Sequence, residues 1–277
     1  MKIIDFDAEF TKVLNDWIEK NRARYRRPDD MENDVPDVYL RWLNTPAAWL
    51  DGKTPADYFD QYEDSAQLCG LLKDYIKEGV PVPDPLLDRL ADLADEQTLL
   101  KLAKDKSAPC EARMDAIELL RQIESTLPMV DFIRWQVERD DEDDILDNAL
   151  ESLRQMGKSV VGPAKIAFRA AGEEGKEALL DVLADYPGDD EVFQYALSRF
   201  KTTKDKRGLF AGYLAKLEDD HALEALLDVA ESDDVSYIDF IEIRSAIERL
   251  GSEAPVRDWT GDPSYKAFKR LQPVVKR

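Results

Sequence analysis

The sequence predicts an all-α chain, a right-handed α-solenoid of about six helical hairpins with helical caps at its N- and C-terminal ends. Three observations carry that expectation. Every thirty-first residue from Leu99 is apolar: Leu99, Val130, Val161, Val192 and Leu223. The same stride three residues later meets Leu102, Ile133, Ala164, Tyr195 and Leu226. Positions three apart share one face of a helix, so the two ladders describe one helical face repeated five times. A second pair of ladders runs through Ala116, Ala149, Leu180, Ala211 and Ile243 and, four residues on, Leu120, Leu153, Ala184, Ala215 and Ile247. These small and aliphatic side chains suit helices that pack closely on both neighbours. Finally, Gly157, Gly188 and Gly251 stand just past the last apolar residue of their units, where a helix C-cap favours glycine. The intervening unit, between those closed by Gly188 and Gly251, ends at Glu218-Asp219 instead.

Three segments follow from this pattern: a cap over residues 1–63, the repeats over 64–252, and a second cap over 253–277. In the first, Phe10, Val13, Leu14, Trp17 and Ile18 recur at helical spacing, so residues 7–25 read as an amphipathic helix capped by Asp5 or Asp7. Its end, Arg22-Ala23-Arg24-Tyr25-Arg26-Arg27, reads as a solvated helix terminus whose bases complement the macrodipole. Val38, Tyr39, Trp42 and Leu43 form a short helix stopped by Asn44-Thr45-Pro46. Trp49-Leu50-Asp51-Gly52 makes a turn with a left-handed glycine. Thr54 and Pro55 open a further helix that carries Tyr58, Phe59 and Tyr62. This aromatic group is either the seal a repeat stack needs at its open end or a pocket built from Trp42, Trp49, Tyr58 and Tyr62; the seal is the reading preferred.

Leu68 and Leu71 sit one stride ahead of Leu99 and Leu102, so the first hairpin begins at Asp64. After the proline-rich stretch from Gly79 to Pro85, Asp84 caps and Pro85 opens a helix bearing Leu86, Leu87, Leu90 and Leu93. Beyond the repeats, Trp259, Tyr265, Phe268 and Leu271 give an apolar face to a C-terminal cap helix. The run from Lys266 to Arg277 is basic.

Two of the second helices read Arg113-Met114-Asp115-Ala116-Ile117-Glu118-Leu119-Leu120 and Ile243-Arg244-Ser245-Ala246-Ile247-Glu248-Arg249-Leu250-Gly251. Both resemble the second helix of HEAT-type repeats, in which an arginine is followed by alanine, leucine and a closing glycine. The resemblance spans roughly residues 65–252, and the units ending at Gly157 and Gly188 depart from it by lacking the arginine. The stretch from Trp42 to Pro55 is similar to that of uncharacterised bacterial HEAT-repeat proteins, which implies no activity. HEAT-like families include scaffolds, subunits of regulatory complexes, pigment-attaching lyases and alkylpurine DNA glycosylases.

Composition narrows the chemistry. The formal net charge is −21 and the apolar fraction 44%, so the chain can build a core while its surface repels nucleic acid and anionic membrane. Cys69 and Cys110 stand far apart, which suits a reducing compartment. With no leader-like or membrane-length apolar run, the expected location is cytoplasmic. One histidine, His221, excludes a Ser-His-Asp arrangement built on any other. The acid run Asp140-Asp141-Glu142-Asp143-Asp144 lacks the glycine and terminal glutamate of an EF-hand and reads as helix capping. No phosphate-binding glycine motif is present. Gly208 and Gly212 read as close helix contacts. No catalytic residue, cofactor or metal is expected.

Ladder spacing applied to the outer face of the second helices gives Arg154, Asp185, Lys216 and Glu248, alternating in sign. They suggest a row of inter-repeat ion pairs on the concave face, which with Tyr213 and Arg244 is the candidate partner-binding surface. The expected function is a non-enzymatic protein–protein interaction scaffold or adaptor, its partner another protein and its oligomeric state open. The alternatives are a HEAT-like DNA glycosylase, which the net charge and the acids Asp147, Glu151, Asp181 and Asp185 disfavour, and a HEAT-like lyase subunit.

Overall fold

A computed structural model describes residues 3–25 and 27–271. Arg26 and the last six residues of the basic C-terminal run lie outside the described residues. Among the residues described, every regular element is helical. The α-helices are α1 (Phe6–Asn21), α2 (Pro28–Glu32), α3 (Val35–Leu43), α4 (Ser65–Glu78), α5 (Asp84–Leu93), α6 (Glu96–Lys104), α7 (Cys110–Gln122) and α8 (Met129–Glu138). They continue as α9 (Asp143–Gln155), α10 (Val161–Ala170), α11 (Glu173–Leu183), α12 (Asp190–Thr202), α13 (Arg207–Lys216), α14 (Leu223–Glu231), α15 (Tyr237–Arg249) and α16 (Pro263–Leu271). None is long and apolar enough to cross a membrane.

The ladders sort onto alternate helices. The Leu99 and Leu102 ladders fall on α6, α8, α10, α12 and α14, and the Ala116 ladder on α7, α9, α11, α13 and α15. All five residues of the Ala116 ladder are 0% exposed, and its companion through Leu120 reaches at most 4%. The Leu99 ladder is less regular: Leu99 and Val192 are buried, whereas Val130 is 73% exposed. Three residues on, Leu102 and Ile133 are equally buried at 5% exposed, so the two helices keep the same register and the difference is local to Val130, one residue into α8.

The chain forms two compact units, one of residues 1–129 with 141–155 and the other of 130–140 with 156–277. In unit 1, Asp5 caps α1 by accepting from the Ala8 amide at 2.8 Å, and Asp64 caps α4 through Ala66 at 2.9 Å. Gly79, at φ 67°, closes α4. The core gathers Leu68, Leu72, Tyr75, Leu86, Leu90 and Leu99. The Tyr75 hydroxyl donates to the Ile4 carbonyl at 2.9 Å and ties the N-terminal segment to α4.

Two local expectations in this unit need correction. The helix expected after Thr54 is a turn followed by the 3-10 segment Tyr58–Gln61. Thr54 Oγ1 does accept from the Asp57 amide at 3.1 Å, but the few residues left before the α4 cap cannot propagate a helix. Asp84 does not cap α5. Pro83 holds the cap position, without a side-chain bond, and the Asp84 carboxylate accepts from the Tyr39 hydroxyl at 3.1 Å.

The helix ends in unit 2 also refine the expectation. Gly251, at φ 85°, closes α15: its amide donates to Glu248 O at 3.1 Å and the Ser252 amide to Ile247 O at 3.1 Å. Gly188 is left-handed but stands in the loop after α11, next to Asp189, whose side chain caps α12. Where the unit ends without glycine, Glu218 takes the left-handed conformation itself, at φ 55°. Gly208 lies against α15, where an added Cβ would meet Glu242 Cγ at 3.2 Å, while Gly212 faces open space. The tightest approach is at Gly175, whose added Cβ would lie 3.0 Å from Val137 Cα.

Candidate binding surfaces

Unit 2 organises its polar residues along α11. Glu173, Glu177 and Asp181 recur every fourth residue and so share one face, and Asp185 follows just past the helix end. Each meets a partner from α12, α13 or the segment between them. Tyr195 donates to the Glu173 carbonyl at 3.2 Å. Glu177 takes Arg199 and, at 2.7 Å, Lys206. Tyr213 donates to Asp181 at 2.9 Å, and Lys216 pairs with Asp185 at 2.9 Å. Burial pushes the Glu177 carboxyl upward, but the hydrogen bonds from Lys206 and Arg199 prevail and hold it below its ordinary value.

The candidate surface residues therefore differ in what they do. Asp185 and Lys216 form the expected bond between successive second helices. Arg244 bonds Glu248 within α15 at 2.7 Å, so Glu248 is neutralised along its own helix. Arg154, which belongs to unit 1, bonds Glu151 one turn back at 3.0 Å. Tyr213 is buried and supports the surface from beneath.

In unit 1 the aromatic residues enclose a side chain from α1. Phe6 is 3% exposed, with its ring centroid 6.4 Å from Trp42, 5.5 Å from Trp49, 5.8 Å from Tyr58 and 5.6 Å from Phe59. Tyr62 packs on Tyr58 and Phe59 from outside, at 6.4 and 6.3 Å. Phe6 thus fills the space among Trp42, Trp49 and Tyr58. Phe6 is the first residue of α1, one residue ahead of the start expected from the sequence. Beside this aromatic cluster runs a groove of about 440 Å³ over Phe10, Leu14, Tyr39, Val82 and Pro85, with Asp7 and Asp84 among its lining residues.

Reactive groups are muted. Burial pushes the Cys69 thiol up to about 11; burial and a hydrogen bond with Glu142 raise Cys110. Both remain thiols at neutral pH. His221 is exposed, its Nδ1 2.7 Å from the Asp219 carboxylate that also caps the 3-10 turn Asp220–Ala222. Asp219, Asp220 and His221 are the one trio of metal-ligand side chains that converge among the described residues. Capping does not account for the whole of the acid run. Asp141 turns inward and takes two hydrogen bonds from Arg113, at 2.9 and 2.6 Å.

Arg113 also donates to the Ala103 carbonyl at 2.9 Å. Its counterpart is Arg207, nearly as buried, which pairs with Asp234 at 3.1 Å. Of the two arginines in the HEAT-like motif, Arg113 is buried and Arg244 is exposed. The motif missed this because burial depends on the distance from the Ala116 ladder: Arg113 lies three residues before Ala116 and Arg207 four before Ala211, while Arg244 follows Ile243. The chain matches no protein-family model and no curated protein.

Proposed function

We propose that this protein is a non-enzymatic interaction module, an α-solenoid of the HEAT-like kind that binds another protein along its second helices. The observation that most supports the reading is the Ala116 ladder, buried without exception on every other helix from α7 to α15. Polar contacts link successive repeats across 27 to 32 residues. In unit 2 they join Asp181 to Tyr213 and Asp185 to Lys216; in unit 1 they join Arg113 to Asp141 and Arg121 to Asn148 at 2.7 Å. Repeats that contact mainly their neighbours present long surfaces suited to partner chains. The proposed surface comprises Asp185, Lys216, Arg244 and Glu248 with Tyr213 beneath, all in unit 2. Exposed ion pairs contribute only ~0–1 kcal/mol each, so a partner's charges can replace them at little cost.

The test is affinity capture from source cells with the tagged full chain and its Lys216→Glu/Arg244→Glu variant, read by quantitative mass spectrometry. The expected result is a protein recovered in stoichiometric amount by the wild type and depleted with the variant. Equal recovery by both chains overturns the assignment of the surface. Retention of duplex DNA at low salt would overturn the interaction-module reading in favour of a nucleic-acid enzyme.

A further inference from the structure

We infer that the groove in unit 1 docks an extended basic segment of a partner protein, with an arginine or lysine head resting on Phe10 and Tyr39 beside the carboxylates of Asp7 and Asp84. The inference rests on the protein-binding reading and names the partner's chemistry.

The groove wall is built to receive a cation. Phe10 and Tyr39 meet edge to face, with centroids 4.9 Å apart and planes at 76°, so two aromatic surfaces form a corner. Both residues are half-buried and keep ring surface open to the groove. Trp42 stacks behind Tyr39 at 5.6 Å, and the Tyr39 hydroxyl is held by Asp84 at 3.1 Å. The corner is therefore fixed before any ligand arrives. Aromatic faces attract ammonium and guanidinium groups, and nearby carboxylates add to that attraction. The fields of Asp84, Asp7 and Asp88 are felt at Tyr39, where burial first and these charges next push the phenol up to about 12.

The site does not end at the corner. Asp84 also lines a second groove, of about 390 Å³, between α5 and α7. Leu87 and Leu119 give it apolar surface, while Asp88, Asp115 and Glu118 supply charge. An extended chain crossing Asp84 would meet rings first and carboxylates next. That order suits a segment whose basic residues alternate with small or apolar ones.

The contrast with unit 2 gives the charge its meaning. Glu173, Glu177, Asp181 and Asp185, on one side of unit 2, each have a base or a tyrosine. Among the described residues, no base is paired with Asp7, Asp88 or Asp115. Burial and like-charged neighbours push up the carboxyls of Asp88 and Asp115, which is the state a bound cation relieves. Unit 1 also holds most of the excess acid, with 33 acidic residues against 18 basic, compared with 26 against 20 in unit 2.

The test measures fluorescence anisotropy of a labelled peptide of alternating arginine and alanine, titrated with the full chain at near-physiological salt. Saturable binding is expected, with none for the matching glutamate–alanine peptide. Phe10→Leu removes a ring and no charge; Asp84→Asn/Asp88→Asn removes two charges and no ring. Each should raise Kd about tenfold or more. Glu174→Gln/Asp190→Asn removes as many charges from unit 2 and should leave Kd within about twofold. Equal weakening by the two double variants, or wild-type binding by Phe10→Leu, overturns the site and shows diffuse attraction to an acidic surface. Melting curves keep a folding defect in Phe10→Leu apart from a lost contact, and the charge variants decide the matter if that chain unfolds. Failure here leaves the interaction-module reading to the capture experiment with Lys216→Glu/Arg244→Glu, which uses neither groove.

Discussion

Among the described residues Arg113 is the bulkiest fully buried side chain, and the side chains of Arg113 and Asp141 are 2% and 4% exposed. Burying a guanidinium is tolerable here because Asp141 receives both ends of its fork and Ala103 O takes the Nε proton. Replacing one partner leaves the other buried and unpaired. Asp141→Asn should therefore lose about 3–5 kcal/mol of stability in urea unfolding, while Arg113→Met/Asp141→Leu should recover part of it. The Arg113 hydrogen bonds hold the Asp141 carboxyl below its ordinary value. Its contribution is present above the unfolded carboxyl range and disappears as pH falls through the depressed folded value. Asp115 has the opposite sign. Burial first, then Glu118 and Glu111, push it up to about 6, so the folded state holds its proton more tightly than the unfolded one. Stability is then lost as pH rises from about 4 to about 6, on the order of 2 kcal/mol. Asp115→Asn should match the wild type in urea melts near pH 4 and exceed it near pH 7; a gap that does not widen with pH would refute this.

Helix-to-helix distance decides what a glycine is worth at the scale of elements. At Gly175 in α11 an added Cβ would meet Val137 backbone at 3.0 Å and 3.1 Å. Backbone cannot swing aside, so Gly175→Ala should cost about 1–3 kcal/mol. Gly212 lies inside α13 with open space around it, and Gly212→Ala should gain up to about 1 kcal/mol through helix propensity. Thermal melts of the pair check both signs. The pair also shows what could be read from sequence. Period and polarity name the buried positions, because a 31-residue stride and a 3.6-residue turn both leave marks in the letters. The Ala116 ladder was legible for that reason, as was the sorting of ladders onto alternate helices. Approach distance leaves no such mark: Gly208 and Gly212 look alike in sequence, and Gly175 is indistinguishable from a loop glycine at a helix start. The same limit hid Phe6 in the aromatic cluster, the Arg113–Asp141 pair and the groove beside Tyr39. Each depends on residues brought together from distant segments.

For the whole molecule, the dominant long-range effect is self-repulsion. Against 59 acidic residues the chain sets only 38 basic ones, and net charge far from zero opposes compaction. Many of the bases are already used in short-range pairs such as Lys216–Asp185 and Lys206–Glu177. Salt acts on the two effects in opposite directions. It weakens exposed pairs, each contributing only ~0–1 kcal/mol, and it screens repulsion among the unpaired acids over longer distances. Going from about 0.1 M to about 1 M sodium chloride shortens the Debye length from about 10 Å to about 3 Å. That removes most repulsion between separate acids while leaving direct contacts partly intact. Tm should therefore rise with sodium chloride and then level off. The rise should be smaller in Asp84→Asn/Asp88→Asn, which thins the unpaired acids of unit 1, than in Glu174→Gln/Asp190→Asn. A Tm that falls with salt would mean that the ion pairs outweigh the repulsion. Equal rises in the two variants would mean that the acids lining the unit 1 grooves carry no special share of it.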